Sequence, residues 1–405
     1  MKSLSRSQFL KVLGLGTLGS VMPAARGFAS PKLEAARAAA KSLKIKDVEI
    51  YYFDIKLAAP ITIAFGTVYS SNGVLIRVLT DAGLIGWGES SPLEFVTGDT
   101  QATNIDAARD LREMLKGKDP LALESTGRLV DTCLRGNPSI AAAFDMAFYD
   151  ILGQAAGLPV YRLLGGDKST FEMDFTIGID TPEKMVKAAR DHAAAGFRTH
   201  KVKIGKNPDL DIVRLKGIRE AVGPEHAIRI DANQGYTVPQ AIYTLRNLEK
   251  YNIEYCEQPV VDWDVDGLKQ VRQGSPIPIM ADEALHSPVD AVKLFKAAAC
   301  DYFNIKIMKA GGLRHSLQIS TIAEAANIRC MVGCMSETRL GLSASAHVVA
   351  AQKNIVFADL DSFLALAVDP VIGGITVKDG MVTMPETPGL GAAIDPAFLK
   401  TLKKA

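Results

Sequence analysis

Between about residues 170 and 362 the chain alternates short apolar segments with amphipathic ones at a period of about 25 residues. Eight segments read as strands: 175–179, 200–204, 228–232, 254–256, 277–281, 303–307, 330–334 and 355–358. Between them lie helix signals. Thr181 followed by Pro182 is an N-cap with proline at the first helical position, and Gly196 stops the same helix. A strand–helix alternation repeated eight times predicts an α/β fold, a parallel (β/α) barrel with an outer ring of helices. A doubly wound open sheet is the other arrangement with this rhythm. It is disfavoured because no glycine-rich dinucleotide turn follows the first strand.

The flanks have a different texture. Residues 48–53 and 74–79 read as strands, 103–116 and 141–156 as helices, and 370–390 as short strands with turns at Gly373-Gly374 and Asp379-Gly380. We read residues 45–168 as an α+β capping domain, 169–368 as the barrel, and 369–405 as a segment returning to the cap. Loops near 61–71 and 89–100 are placed to close over a substrate. Residues 1–30 have the basic start, apolar stretch and small residues of an export signal, followed by a linker over 31–44. The run from Ser5 to Lys11 resembles a twin-arginine signal, except that Ser7 stands in place of the second arginine. Export, to the periplasm, is the expectation; an N-terminal helix of a cytoplasmic protein is the alternative.

Composition excludes some classes. The net charge of +1 becomes −3 without residues 1–30, leaving no electrostatic footprint for nucleic acid. No apolar run reaches the roughly 18–20 residues of a membrane span. The five cysteines are dispersed and lack a C-x-x-C, which argues against a disulfide framework or structural zinc and suggests buried fillers.

Barrels of this kind carry their chemistry at the C-terminal ends of the strands. There the sequence places Lys203, Asp231, Glu257, Asp282 and Lys306, separated by 28, 26, 25 and 24 residues, one charge per strand–helix unit. A charge ending an apolar run is costly unless it serves a site. Three carboxylates from adjacent strands suit a hard divalent cation, Mg²⁺ above all, with Mn²⁺ and Ca²⁺ open at this point. A lysine on each side has a use. Removing the proton next to a carboxylate makes an enediolate, whose charge the metal stabilises, and a neutral lysine amine must accept the proton.

The segments His200-Lys201-Val202-Lys203-Ile204-Gly205, Asp231-Ala232-Asn233-Gln234-Gly235, Glu257-Gln258-Pro259, Ala281-Asp282-Glu283 and Asn304-Ile305-Lys306 resemble the muconate-lactonizing branch of the enolase superfamily. Within it, residues 331–338 and the Asp359-Leu360-Asp361 motif are similar to the dipeptide epimerases. The resemblance covers nearly everything after residue 45. It implies metal ligands at Asp231, Glu257 and Asp282, acid/base lysines at Lys203 and Lys306 on opposite faces of the substrate, and Asn233 and Glu283 orienting the ligands.

Asp359 and Asp361 make separate physical sense. Residues two apart on a strand point the same way, and two converging carboxylates suit an ammonium with its three donors. In dipeptide epimerases this motif holds the α-ammonium of the first residue. Alanyl-glutamate epimerases resemble one another in carrying an arginine in the first capping loop; here that position falls at Phe65 or Gly66. With Phe65 and Tyr69 in the loop, an apolar or neutral C-terminal residue is expected in the dipeptide. Lys201 and Glu337 are further expected substrate contacts. The other readings are alanyl-glutamate epimerase, N-acyl amino acid racemase, o-succinylbenzoate synthase, cycloisomerase, and, outside catalysis, an exported peptide-binding protein. A homo-oligomer is expected.

Overall fold

The computed structural model describes residues 43–133 and 135–405, so the expected export signal lies outside the described residues. The chain first forms an antiparallel sheet: β1 (Ile45–Ile63), β2 (Gly66–Thr80) and β3 (Ile85–Ser90), with β17 (Lys403–Lys404) from the far end of the chain on its outer edge. The capping loop expected at 61–71 is mostly strand. β1 and β2 stay paired out to Ile63 and Gly66, so the loop is the two-residue tip Ala64-Phe65 of one long hairpin.

Two helices pack on this sheet, α1 (Gln101–Leu115) and, after α2 (Leu123–Cys133), which packs against the other two, α3 (Pro138–Ala156). α3 presents apolar residues on more than one face and is buried on two sides. Phe144, Phe148 and Ile151 join the core of the cap, while Ala142, Met146 and Tyr149 join the large core shared with the barrel. β3 approaches α3 so closely that a Cβ at Gly88 would stand 1.8 Å from Ala143 O, so only glycine fits.

A short strand, β4 (Thr170–Glu172), leads into the barrel. Its eight parallel strands run in spatial order β5 (Phe175–Ile177), β6 (Thr199–Lys203), β7 (Ala227–Asp231), β8 (Ile253–Glu257), β9 (Ile279–Ala281), β10 (Tyr302–Ile305), β11 (Arg329–Val332) and β12 (Ile355–Ala358). The ring closes where Asp174 N donates to Ala358 O at 3.1 Å. The intervening helices are α4 (Pro182–Ala194), α5 (Pro208–Val222), α6 (Val238–Leu248), α7 (Val265–Gly274), α8 (Pro288–Ala297), α9 (Leu313–Ala325) and α10 (Arg339–Ala351). Thr181, Asn207, Asp264, Ser287 and Thr338 each accept a backbone N–H in the first turn, which fixes where these helices start.

The cap itself supplies acceptors for backbone N–H groups at the start of two barrel helices. Asp145 of α3 accepts Arg314 N at 3.1 Å at the start of α9. Glu89 at the end of β3 accepts Thr338 N at 2.7 Å and Gly341 N at 2.9 Å at the start of α10. Gly312 has a φ of +115°, and a side chain there would collide with Asp145. The remaining short strands, β13 (Val371–Gly373), β14 (Thr376–Lys378), β15 (Met381–Thr383) and β16 (Ala392–Ile394), carry the chain across the barrel back to the capping sheet.

Candidate active site

Alternation along the strands sorts the barrel interior into layers. Tyr255, Met280 and Met331, with Tyr302 and Phe357 against them, form a small apolar cluster apart from the core that lies between strands and helices. Arg229 joins this layer, 4.7 Å from the centre of the Phe357 ring and paired with Asp174 at 2.8 Å. Two residues on from Arg229, Tyr255, Met280 and Tyr302, toward the C-terminal end, stand Asp231, Glu257, Asp282 and Asn304, all fully buried, as is Lys201 of β6. Lys203 and Lys306 lie at the top, in the wall of an open cavity.

The ring charges are tightly paired. Lys203 Nζ is 2.6 Å from Asp231 Oδ2, and Lys306 Nζ is 2.8 Å from Asp282 Oδ2. Lys201 Nζ sits beneath, 2.9 Å from Glu257 Oε2, 3.4 Å from Asp231 Oδ2 and 2.6 Å from Asp359 Oδ2. Asn304 Nδ2 donates to Glu257 Oε1 at 2.7 Å, and Asn233 Nδ2 to Glu283 Oε1 at 3.1 Å. Lys309, in the turn after β10, bonds both the carboxylate and the carbonyl of Asp282.

Burial opposes ionisation of Asp231, yet Lys203 and Lys201 hold its carboxyl below the usual range. Burial opposes it at Asp282 too, where Lys306 and Lys309 win by more. Glu257 goes the other way: burial, then the neighbouring Asp231, push it well up. Burial resists a charge on Lys306, but Asp282 and Glu257 keep its ammonium above the usual range. Asn233 Oδ1 and Glu283 Oε2 beside the trio of acids are buried without a hydrogen bond. Three carboxylates, with unpaired buried oxygens beside them, form an all-oxygen donor set that fits a hard divalent cation.

The cavity above has an empty volume of about 750 Å³, counted out to its open mouth. Leu57, Ile61, Ile63, Phe65 and Val68 of the β1–β2 hairpin and Leu93 and Val96 of the following loop form its roof. Phe65 stacks on Phe95 at 6.0 Å, so the two expected lid segments meet. Asp359 and Asp361 form the far wall. β12 ends at Ala358, so strand alternation does not hold this pair. Lys201 anchors Asp359, and Thr176 N donates to Asp361 Oδ2 at 2.6 Å. Burial and the charge of Asp359 push Asp361 up to about 6, while burial opposes Asp359, which Lys201 keeps low.

Three expected substrate contacts stand elsewhere. Tyr69 is 66% exposed, because Val68 beside it on the strand takes the inward direction. Glu337 is buried behind the wall, accepting Met335 N at 2.6 Å. Lys201 lies one layer below the cavity floor. Conversely, Cys334, expected to be a filler, lines the cavity 3.8 Å from Asp361. Asp174, Thr176, Arg229 and Lys309 also went unnoticed in the sequence. The recurring two-residue step inward from Asp231 to Arg229 was the available signal for one of them.

Residues 184–398 match the Enolase C-terminal domain-like family, and residues 46–165 match the Mandelate racemase / muconate lactonizing enzyme, N-terminal domain. The chain is 41% identical to the hydrophobic dipeptide epimerase of Enterococcus faecalis, covering 86% of this chain and 99% of that one. It is 39% identical to the L-Ala-D/L-Glu epimerase of Clostridium acetobutylicum, over 86% and 98%. The solved dipeptide epimerase of Cytophaga hutchinsonii, complexed with Mg and D-Ala-L-Val, superposes with a TM-score of 0.88 at 41% identity, over 89% and 99%.

Proposed function

The chain belongs to the mandelate racemase/muconate lactonizing enzyme family of the enolase superfamily, and on that premise we propose that it is a Mg²⁺-dependent dipeptide epimerase preferring an apolar C-terminal residue. The observation that carries this is the order of the strands. β6 and β10, which bear Lys203 and Lys306, lie four strands apart in a ring of eight, on opposite sides of the barrel. Asp231, Glu257 and Asp282 fill the arc between them on β7, β8 and β9. Asp359 and Asp361 follow β12, four strands from β8.

A dipeptide spans this cross in one direction. Its C-terminal carboxylate points to the three acids, its α-ammonium to Asp359 and Asp361, and the α-carbon of its second residue lies between the two lysines. A cation held by Asp231, Glu257 and Asp282 would bind the substrate carboxylate and stabilise the charge that develops there when the α-proton leaves. One lysine, neutral, takes that proton from its face; the other, charged, supplies a proton from the opposite face. The configuration inverts, and the two lysines have exchanged protonation states. The hairpin roof excludes water from the exchange. Two carboxylates at the far wall favour a free ammonium over the acidic acyl groups of a succinyl amino acid or succinylbenzoate.

Preference for an apolar side chain rests on the roof. Among the described residues lining the cavity, Lys203 and Lys306 are the only cations, and both are paired with the ring acids Asp231 and Asp282. An acidic side chain under Phe65, Leu93 and Val96 would lose hydration without gaining a partner. The test is a dipeptide library incubated with Mg²⁺ in D₂O and read by mass spectrometry and chiral analysis. One deuteron should enter at the α-carbon of the second residue, with loss of chirality, fastest for apolar side chains. No exchange in any dipeptide overturns the activity; alanyl-glutamate as much the best substrate overturns the preference.

Residues 1–30 support export to the periplasm, which fractionation of the tagged full chain tests. A homo-oligomer is read by sedimentation. Among the described residues no helix is long and apolar enough to cross a membrane.

A further inference from the structure

Three donor atoms at the far wall form a set that an ammonium alone does not call for. Cys334 Sγ and one oxygen each of Asp359 and Asp361 lie within 4.8 Å of one another. One oxygen of each carboxylate is engaged: Asp359 Oδ2 accepts from Lys201 and Asp361 Oδ2 from Thr176. Asp359 lines the cavity at 3% exposure, and its Oδ1 is buried with no hydrogen-bond partner. Asp361 Oδ1 has only the thiol, at 3.8 Å.

One sulfur and two carboxylate oxygens match a borderline-soft ion such as Zn²⁺, which takes sulfur and oxygen at roughly 2.0–2.3 Å in a tetrahedron. They do not match Mg²⁺, which demands oxygen. The oxygen-only trio of Asp231, Glu257 and Asp282 has the opposite preference. With the thiol deprotonated the three donors carry three negative charges, which a divalent ion offsets in large part, Lys201 being shared between Asp359 and Glu257. The S–H bond breaks, its proton goes to solvent, and the S–metal bond forms with no change of oxidation state.

We propose that Cys334, Asp359 and Asp361 form a second cation site, selective for divalent ions of the Zn²⁺ class, whose occupation shuts out the substrate's α-ammonium. The site itself stands on these donors; the competition with substrate rests on the dipeptide reading above. One cavity therefore separates two cations by hardness: the hard one serves turnover and the softer one blocks it.

The experiment uses the full-length enzyme in excess Mg²⁺, titrated with Co²⁺ or Cd²⁺ and followed by near-ultraviolet absorbance. A thiolate-to-metal charge-transfer band should appear with one equivalent, because the Mg²⁺ trio has no sulfur. It should vanish in Cys334→Ser and weaken in Asp361→Asn, which keeps the carboxylate's shape without its charge and serves if the first variant fails to fold. Zn²⁺ should inhibit epimerisation competitively with dipeptide, with an inhibition constant about tenfold or more weaker in Cys334→Ser. No band in the parent enzyme, a band retained in Cys334→Ser, or unchanged Zn²⁺ inhibition in that variant overturns the site. A band that depends on Cys334 but is displaced by no dipeptide upholds the metal site and overturns the ammonium reading instead.

Discussion

Lys201 Nζ stands 2.6 Å from Asp359 Oδ2, fully buried, so the cation beneath the ring also orients the acid at the far wall. The first lysine of the K-x-K pair thereby links Glu257 in the ring to Asp359 at the far wall.

Replacing it tests that link. Lys201→Met leaves Glu257 and Asp359 buried without their shared counter-charge, which should cost about 3–5 kcal/mol of stability. Urea unfolding reads the loss, and the KM for a dipeptide should rise with it. A variant as stable as the parent would show that the carboxylates are compensated elsewhere.

Lys203→Ala and Lys306→Ala should each lower epimerisation by about 10²–10⁴-fold. Because β6 and β10 face each other across the barrel, each variant should still exchange the α-proton of one substrate stereoisomer, and the two should differ in which. Proton NMR in D₂O follows both. Full activity in either variant would remove that lysine from the acid/base role.

Phe65 sits in the hairpin tip over the cavity. Phe65→Arg brings a cation into an apolar roof and should shift kcat/KM from apolar toward acidic C-terminal residues by about tenfold. Unchanged ranking across a dipeptide panel would mean that Phe65 does not contact the second side chain.

Glu89→Ala removes the acceptor for Thr338 N and Gly341 N, both in the buried start of α10. Two orphaned donors cost about 1–3 kcal/mol each. The melting temperature should fall, and amide exchange should accelerate first at the start of α10. Uniform exchange across the barrel would argue that the contact does not join cap to barrel locally.

His347 lies inside α10, with Nδ1 accepting Tyr161 N at 3.1 Å and Nε2 donating to Leu390 O at 3.1 Å. Burial lowers its pKa to about 4, below the 6.5 of the unfolded chain. The native state therefore binds fewer protons than the unfolded one between those values. This group's contribution is complete above about pH 6.5 and is lost as the pH falls toward 4, by up to about 3 kcal/mol. Unfolding free energies measured down this range should decline less steeply in His347→Gln; the same slope would acquit the histidine.

The period of about 25 residues was enough to give the barrel, and the charges ending the apolar runs were enough to give the ring, because local propensity and strand alternation act over a few residues and leave a regular trace. Lys203, Asp231, Glu257, Asp282 and Lys306 were legible for that reason. What the sequence alone could not decide was which side chains face the cavity. Tyr69 points outward because its neighbour Val68 points inward, a parity set by the bulged pairing of β1 and β2. Cys334 and Asp361 are 27 residues apart yet 3.8 Å apart in space, and Glu89 meets Thr338 from a distance of 249 residues. Such contacts leave no periodic signal. They exist only once the barrel has closed and the cap has docked on it, when buried donors and acceptors must find partners or remain unpaired.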